Sequence, residues 1–145
     1  MHAAAHDDPE ALAYVRAELE RGLRKLDESP ALYMLSLLWS ALALRDAEAA
    51  AGLLARLEPL ARAPVNLDNL YPLGRTLGDA AVLLGERERA LSLYQQALEG
   101  ATHLGFRPEI AVLRLHLAEL LLEHYSAERA VALDHLEFAL KEFEA

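Results

Sequence analysis

Residues 85–98 read GERERALSLYQQAL, and this stretch decides the fold because its spacing of small and large side chains recurs along the chain. Residues 132–140, ALDHLEFAL, match it, and residues 50–57, AAGLLARL, match it more loosely. In each copy a small, a large and a second small or apolar residue stand at positions i, i+4 and i+7, which lets one helix pack closely on another. The matched alanines, 40 and 42 residues apart, predict a tandem helical repeat. They are Ala50, Ala90 and Ala132.

Helix start and stop signals divide the 145 residues into about seven helices joined by short turns. Asp8 and Asp46 are predicted to be N-caps, and Gly85 is predicted to be a left-handed C-cap. We expect a flexible tail at residues 1–7 and a single domain at 8–145, in which a first helix precedes three helix hairpins at about 30–62, 67–104 and 109–145. The predicted helices span about 9–27, 31–44, 46–62, 68–84, 86–104, 109–124 and 126–145.

Composition supports an all-α class and excludes several functions. Hydrophobic residues make up 54% of the chain, with few Gly and Pro, so helix formers fill most segments. The net charge of -9 argues against nucleic-acid binding, because a phosphate-binding surface needs an excess of Lys and Arg. The sequence has no Cys, no signal peptide and no apolar run long enough to span a membrane, so we expect a cytoplasmic protein.

The middle hairpin resembles the tetratricopeptide repeat. The residues that carry the resemblance, in the order of that family's signature, are Leu77, Gly78, Gly85, Ala90, Tyr94, Ala97 and Leu98. The longer period is similar to the repeat arrays that end large bacterial signalling ATPases, including regulators of the LuxR and maltose-activator kind. The resemblance covers about residues 67–145 and implies antiparallel helix hairpins stacked as a right-handed solenoid. For residues 1–66, HEAT-like or plain bundle packing stays open.

Two helices have apolar patterns that predict their position in such an array. The second, at 31–44, is apolar nearly all round and is expected to be the most buried. The sixth, at 109–124, is apolar on two sides and is expected to lie between two neighbours.

No arrangement of residues in the sequence indicates catalysis, so we predict that the protein is not an enzyme and needs no cofactor or metal. A nucleophilic Cys and a phosphate-binding Gly-rich loop are both absent from the sequence. His116 and His124 are about 12 Å apart along the sixth helix, too far for one ion to bridge. An acidic strip on a solvated helix face explains His116, Glu119 and Glu123 without an ion.

The tetratricopeptide register implies a groove lined by the first helix of each hairpin. Arg75 and Asp79 lie one turn apart there, and Glu119 is expected to face them. The alternative for Trp39 is that its side chain belongs to the core. The implied groove residues are Leu35, Trp39, Leu42, Arg75, Asp79, Val82, Leu115, Glu119 and Leu122.

These observations predict a non-catalytic module that binds a protein or peptide partner, or another domain of its own parent, within a larger bacterial signalling or transcription-regulatory protein. We expect the chain to continue in such a parent, because Phe138 and Phe143 near its end need cover. Two alternatives stay open: a scaffold that forms homodimers through its terminal hairpins, and a domain that senses a small molecule.

Overall fold

The computed structural model describes residues 8–26, 30–62 and 73–144, and every regular element in these ranges is helical. Seven α-helices follow one another along the described chain, with a short 3-10 turn, Ser126–Glu128, before the last. The all-α class is therefore confirmed. The helices are α1 (Pro9–Leu23), α2 (Ala31–Leu44), α3 (Ala47–Arg62), α4 (Leu73–Leu83), α5 (Arg87–Leu104), α6 (Arg107–His124) and α7 (Arg129–Glu144).

Three predictions fall outside the described residues: the flexible tail at 1–7, the helix break at 63–66 and the start of the fourth helix at residue 68. Within the described ranges, two aspartates cap helices as predicted. Asp8 accepts a hydrogen bond from the Glu10 backbone N–H at 3.0 Å. Asp46 accepts one from the Ala49 N–H at 3.1 Å. Each cap satisfies a backbone donor that has no partner within its helix.

Three helix boundaries within the described residues differ from the prediction by two residues or more. The first helix ends at Leu23 instead of residue 27, because the Lys25 N–H bonds to the Gly22 carbonyl three residues back and tightens the last turn. The sixth begins two residues early, at Arg107, since the following Pro is tolerated in a first turn. The seventh begins three residues later than predicted because the 3-10 turn precedes it.

Left-handed residues end three of the helices. Gly85 has φ 75° and Gly105 has φ 70°, which confirms the C-cap predicted at Gly85. Arg45 has φ 53° at the end of α2. A non-glycine residue in this conformation carries a steric cost, so the α2–α3 turn is the strained one of the three.

Each helix packs mainly against its neighbours in the chain, and α2 also packs against α4. The hairpins are α2–α3, α4–α5 and α6–α7, and α1 lies on α2. One hydrophobic core runs from α1 into α6, and a smaller cluster of Ala118, Leu121 and Ala132 joins α6 to α7. This nearest-neighbour packing is that of a stacked array. The right-handed twist stays a prediction.

Two glycines of α4 make a close contact with α5. A Cβ atom built on Gly78 would lie 2.3 Å from the ring of Tyr94, and one on Gly74 would lie 2.6 Å from the Cβ of Ala97. Both distances are shorter than van der Waals contact, so each position in α4 accepts only glycine at this separation. The small-large-small pattern of residues 85–98 therefore meets a complementary pair of glycines.

The matched alanines occupy equivalent buried positions. Ala50, Ala90 and Ala132 are all fully buried. Burial at a close helix contact was predicted for Ala90 and for Ala97. It is confirmed for Ala90, whereas Ala97 is only half-buried although it contacts Gly74.

The second helix is less buried than its composition predicts. Leu35, Leu37, Leu38 and Ala41 face the core. Trp39 is 47% exposed, and one face of α2 is left uncovered by the described helices. The prediction that α2 is the most buried helix was wrong, because its neighbours α1, α3 and α4 leave this face open.

The sixth helix is sandwiched as predicted, since it packs against α5 on one side and α7 on the other. Arg114 stacks over the ring of Phe138, 4.1 Å from its centroid, and so covers one of the two C-terminal aromatics. Phe143 stays 54% exposed. None of the described helices combines the length and the apolar character that a membrane span requires.

Gly78 and Gly52 have different surroundings and therefore supply a matched test of the α4–α5 contact. Gly78→Ala places a methyl group against Tyr94, so we expect a loss of about 1–3 kcal/mol in the free energy of unfolding. Gly52→Ala is the control, because nothing lies within 4 Å of its added Cβ in the interior of α3. That change is expected to stabilise by up to about 1 kcal/mol. Urea unfolding of both variants measures the difference, and equal effects would contradict the described contact.

Candidate binding surface

The first helices of the three hairpins are joined by side-chain hydrogen bonds. Between α4 and α6, Arg75 pairs with Glu109 and Asp79 pairs with His116. The residue numbers rise together, so the two helices run in the same direction. We call a set of ten exposed and half-buried side chains of α2, α4 and α6 the first-helix face. They are Leu32, Trp39, Arg75, Asp79, Val82, Leu115, His116, Glu119, Leu122 and Glu123.

Trp39 is the large aromatic side chain of this face. Its Nε1–H donates a hydrogen bond to the Oγ1 atom of Thr76, at 3.0 Å, across the α2–α4 contact. Thr76 is buried, so the acceptor is held by the core. Because 47% of Trp39 is exposed, the alternative that it is a core side chain was wrong. The bond fixes the orientation of a ring that remains open to a partner.

Arg75 forms an ion pair within the chain. Its Nε atom lies 2.9 Å from Oε1 of Glu109, and the Glu109 side chain is only 8% exposed. Burial raises the pKa of Glu109, and the charge and hydrogen bond of Arg75 offset part of that rise. Glu119 was expected to face Arg75. The ion pair observed is with Glu109, a buried residue in the first turn of α6.

Asp79 is the centre of a three-helix hydrogen-bond cluster. The Tyr94 hydroxyl, from α5, donates to its Oδ1 atom. The Nδ1 atom of His116, from α6, lies 2.7 Å from the same oxygen. The Tyr94 and His116 rings meet edge to face, with centroids 5.8 Å apart. Asp79 is therefore held from two sides.

The cluster shifts the protonation of its members. Burial raises the pKa of the Tyr94 hydroxyl and the charge of Asp79 raises it further, so this phenol stays protonated and donates. Burial opposes protonation of His116, but the hydrogen bond and the charge of Asp79 outweigh it, and the pKa of His116 is raised above its ordinary value of 6.5. His116 was expected to lie on a solvated strip, and instead it is half-buried.

The remaining predicted groove residues divide by exposure. Val82 and Leu122 are exposed at 41% and 39%, while Glu119 is exposed and Leu115 half-buried. Leu35 is fully buried and does not belong to the surface, because it points away from the exposed face of α2. Leu42, half-buried, packs against the core.

Sequence reasoning missed Glu109, Tyr94 and His116 as parts of this site. Thirty-four residues separate Glu109 from Arg75 and 37 separate His116 from Asp79, and such distances leave no local spacing signal. Tyr94 did carry a signal, since it stands at a position of the repeat pattern. The repeat pattern predicts that the side chain at this position packs between helices, but it does not predict the hydrogen bond of the Tyr94 hydroxyl.

Among the described residues, no group of three or more His, Cys, Asp or Glu side chains is placed to hold a metal ion. A shallow polar depression also lies beside the α4–α5 turn, lined by residues 85–89, His124 and Tyr125, and it includes none of the predicted groove residues. The first-helix face instead presents a fixed indole, exposed aliphatic side chains and the oriented carboxylate of Asp79.

Comparisons of the chain with protein-family models, with curated proteins and with solved structures give no match. The tetratricopeptide resemblance therefore stays a prediction that depends on the residues quoted for it.

The Arg75–Glu109 pair is expected to contribute to stability. Arg75→Ala leaves a buried carboxylate without its donor, at a cost of about 1–3 kcal/mol. Glu109→Gln added to that variant removes the charge and is expected to recover part of the loss. Urea unfolding gives both values. The exposed Arg16 supplies the control, and a loss in Arg16→Ala as large as that in Arg75→Ala would contradict a specific role for the pair.

The Asp79–His116 pair predicts a pH-dependent contribution to stability. Because the folded-state pKa of His116 is raised, its contribution is fully present below the ordinary value of 6.5 and is lost as the pH rises through the folded-state value. The difference in unfolding free energy between the wild type and His116→Gln should therefore be largest near pH 6 and shrink towards pH 8.5. His103→Gln, at an exposed position, is the control. A difference that stays constant with pH, or grows, would refute the linkage.

Proposed function

We propose that this chain is a non-catalytic binding module that holds a peptide or protein segment along its first-helix face. One observation carries the proposal: Trp39 is nearly half exposed while its only hydrogen-bond donor is fixed by the buried Thr76. Rigid, partly exposed aromatic side chains are the residues that most often dominate protein interfaces. An indole already held in place loses little conformational entropy when a partner covers it.

The surroundings of Trp39 suit an extended partner. Val82 and Leu122 supply exposed apolar contacts on the next two first helices. Asp79 is oriented by two hydrogen bonds, so its carboxylate meets a donor without first having to be ordered. An interface with an aromatic and aliphatic centre and polar groups beside it is typical of protein recognition.

The polar groups of this face favour binding over catalysis. The Tyr94 phenol is held protonated by burial and by Asp79, which makes it a poor nucleophile. Asp79 and His116 bond to each other and are used in joining helices. A cytoplasmic location and a larger bacterial signalling or regulatory parent complete the proposal, and the resemblance to repeat arrays of such proteins supports both.

A second candidate is self-association through the last hairpin. Leu133, Leu140 and Phe143 lie on one side of α7, and each is about half exposed. Apolar side chains grouped in this way favour contact with a second copy or with another protein surface.

Peptide selection tests the proposed function directly. Peptides selected from a random display library on the wild-type protein are expected to bind Trp39→Ala at least about thirtyfold more weakly, since a central aromatic contributes 2 kcal/mol or more. Leu140→Ala, which truncates an exposed apolar side chain of α7, is the matched control and should bind like the wild type. Circular dichroism and unfolding confirm that both variants fold.

The same variants separate the two candidates. Peptides that bind Trp39→Ala normally, or that depend on Leu140, would overturn the first-helix face as the site. Light scattering over a concentration series would then show a dimer that Leu140→Ala disrupts.

A further inference from the structure

The charged groups of the first-helix face do not balance. Arg75 is neutralised by Glu109, and Asp79 is matched only when His116 is protonated. Glu119 is exposed and forms no ion pair or hydrogen bond with the described residues. Glu123, one turn further along α6, is also exposed, and its Oε1 atom lies 3.6 Å from Nε2 of His124. The face is therefore acidic, and it belongs to a chain of net charge -9 that attracts cations at long range.

Trp39 also favours a cationic partner. An indole has a single hydrogen-bond donor, and that donor is already given to Thr76. The Trp39 side chain therefore has no donor left for a carboxylate or a carbonyl, and the faces of an indole carry a negative potential. Arg and Lys side chains bind such a face by cation–π attraction.

The hydrogen bonds also place these groups along one line. Trp39 bonds to Thr76, and Asp79 stands about one turn beyond Thr76, roughly 4.5 Å along α4. Asp79 pairs with His116, and Glu119 stands the same distance beyond it on α6. Neighbouring helix axes lie about 8–10 Å apart, so the line from Trp39 to Glu119 covers roughly 20 Å. An extended segment of about six residues spans that length.

From this arrangement we propose that the segment held by the first-helix face is cationic, with Arg or Lys side chains placed between the Trp39 ring and the carboxylates of Asp79 and Glu119. This inference depends on the proposed function and names its partner class: a short, extended, basic peptide segment with some apolar residues. An anionic partner would meet the negative charges of Asp79 and Glu119, and the Arg75 guanidinium on this face is already bound to Glu109.

Three capped octapeptides test the assignment. They have the same apolar residues and differ only in three positions, which are all Arg, all Gln or all Glu. Trp39 is the only tryptophan of the chain, so its fluorescence reports occupancy of this face, and calorimetry supplies the affinity. The Arg peptide is expected to bind at least tenfold more tightly than the Gln peptide and to weaken as salt rises, while the Glu peptide should not bind.

Two isosteric variants separate local charge from net charge. Glu119→Gln and Glu99→Gln each remove one negative charge at an exposed position, the first on this face and the second on α5. We expect Glu119→Gln to weaken the Arg peptide about two- to fivefold, the size of an exposed ion pair. Glu99→Gln should leave its affinity unchanged. Glu119→Lys should weaken it further.

Several results would overturn the cationic assignment. They are tighter binding of the Gln or Glu peptide, equal effects of Glu119→Gln and Glu99→Gln, and no binding of any of the three peptides. The library selection decides the proposed function separately. Selected peptides that need Trp39 but are acidic or uncharged would keep the binding module and reject the cationic partner, whereas peptides indifferent to Trp39 would reject both.

Discussion

The contact between Gly78 and Tyr94 is the constraint on which the rest of the site depends. Because α4 has no side chain at residue 78, the Tyr94 ring lies directly on its backbone. That placement brings the phenol hydroxyl to Asp79, and Asp79 in turn orients His116 on the next helix. The close packing of α4 on α5 thus positions a hydrogen-bond cluster that extends to α6.

The polar pairs between α4 and α6 define how these two helices align, which contacts between alanines and leucines define less strictly. Apolar helix faces tolerate sliding and rotation at little cost, whereas a buried carboxylate such as Glu109 is satisfied in one register only. Partners on neighbouring helices therefore define how those helices align. The direct ion pair with Arg75 offsets part of the cost of burying the Glu109 carboxylate.

Much of the fold could be predicted because its signals are local. Caps at Asp8 and Asp46 and the left-handed Gly85 are readable within a few residues. The exposure of Trp39 could not be read in this way, since composition shows how apolar α2 is and not how many neighbours cover it. The ion pair of Arg75 with Glu109 joins residues that are 34 positions apart in the sequence, and the periodicity of the repeat does not predict such a contact.

The packing of each helix mainly on its chain neighbours also sets how the protein folds and opens. Contacts that are short in sequence separation require little loop closure, which favours rapid folding from a local nucleus. The hairpin α4–α5 combines a tight glycine contact with neighbours on both sides. The outer helices α1 and α7 each have a neighbour on one side only within the described chain. Cooperativity therefore weakens outwards, and hydrogen exchange at the two ends proceeds through openings that leave the middle of the stack folded.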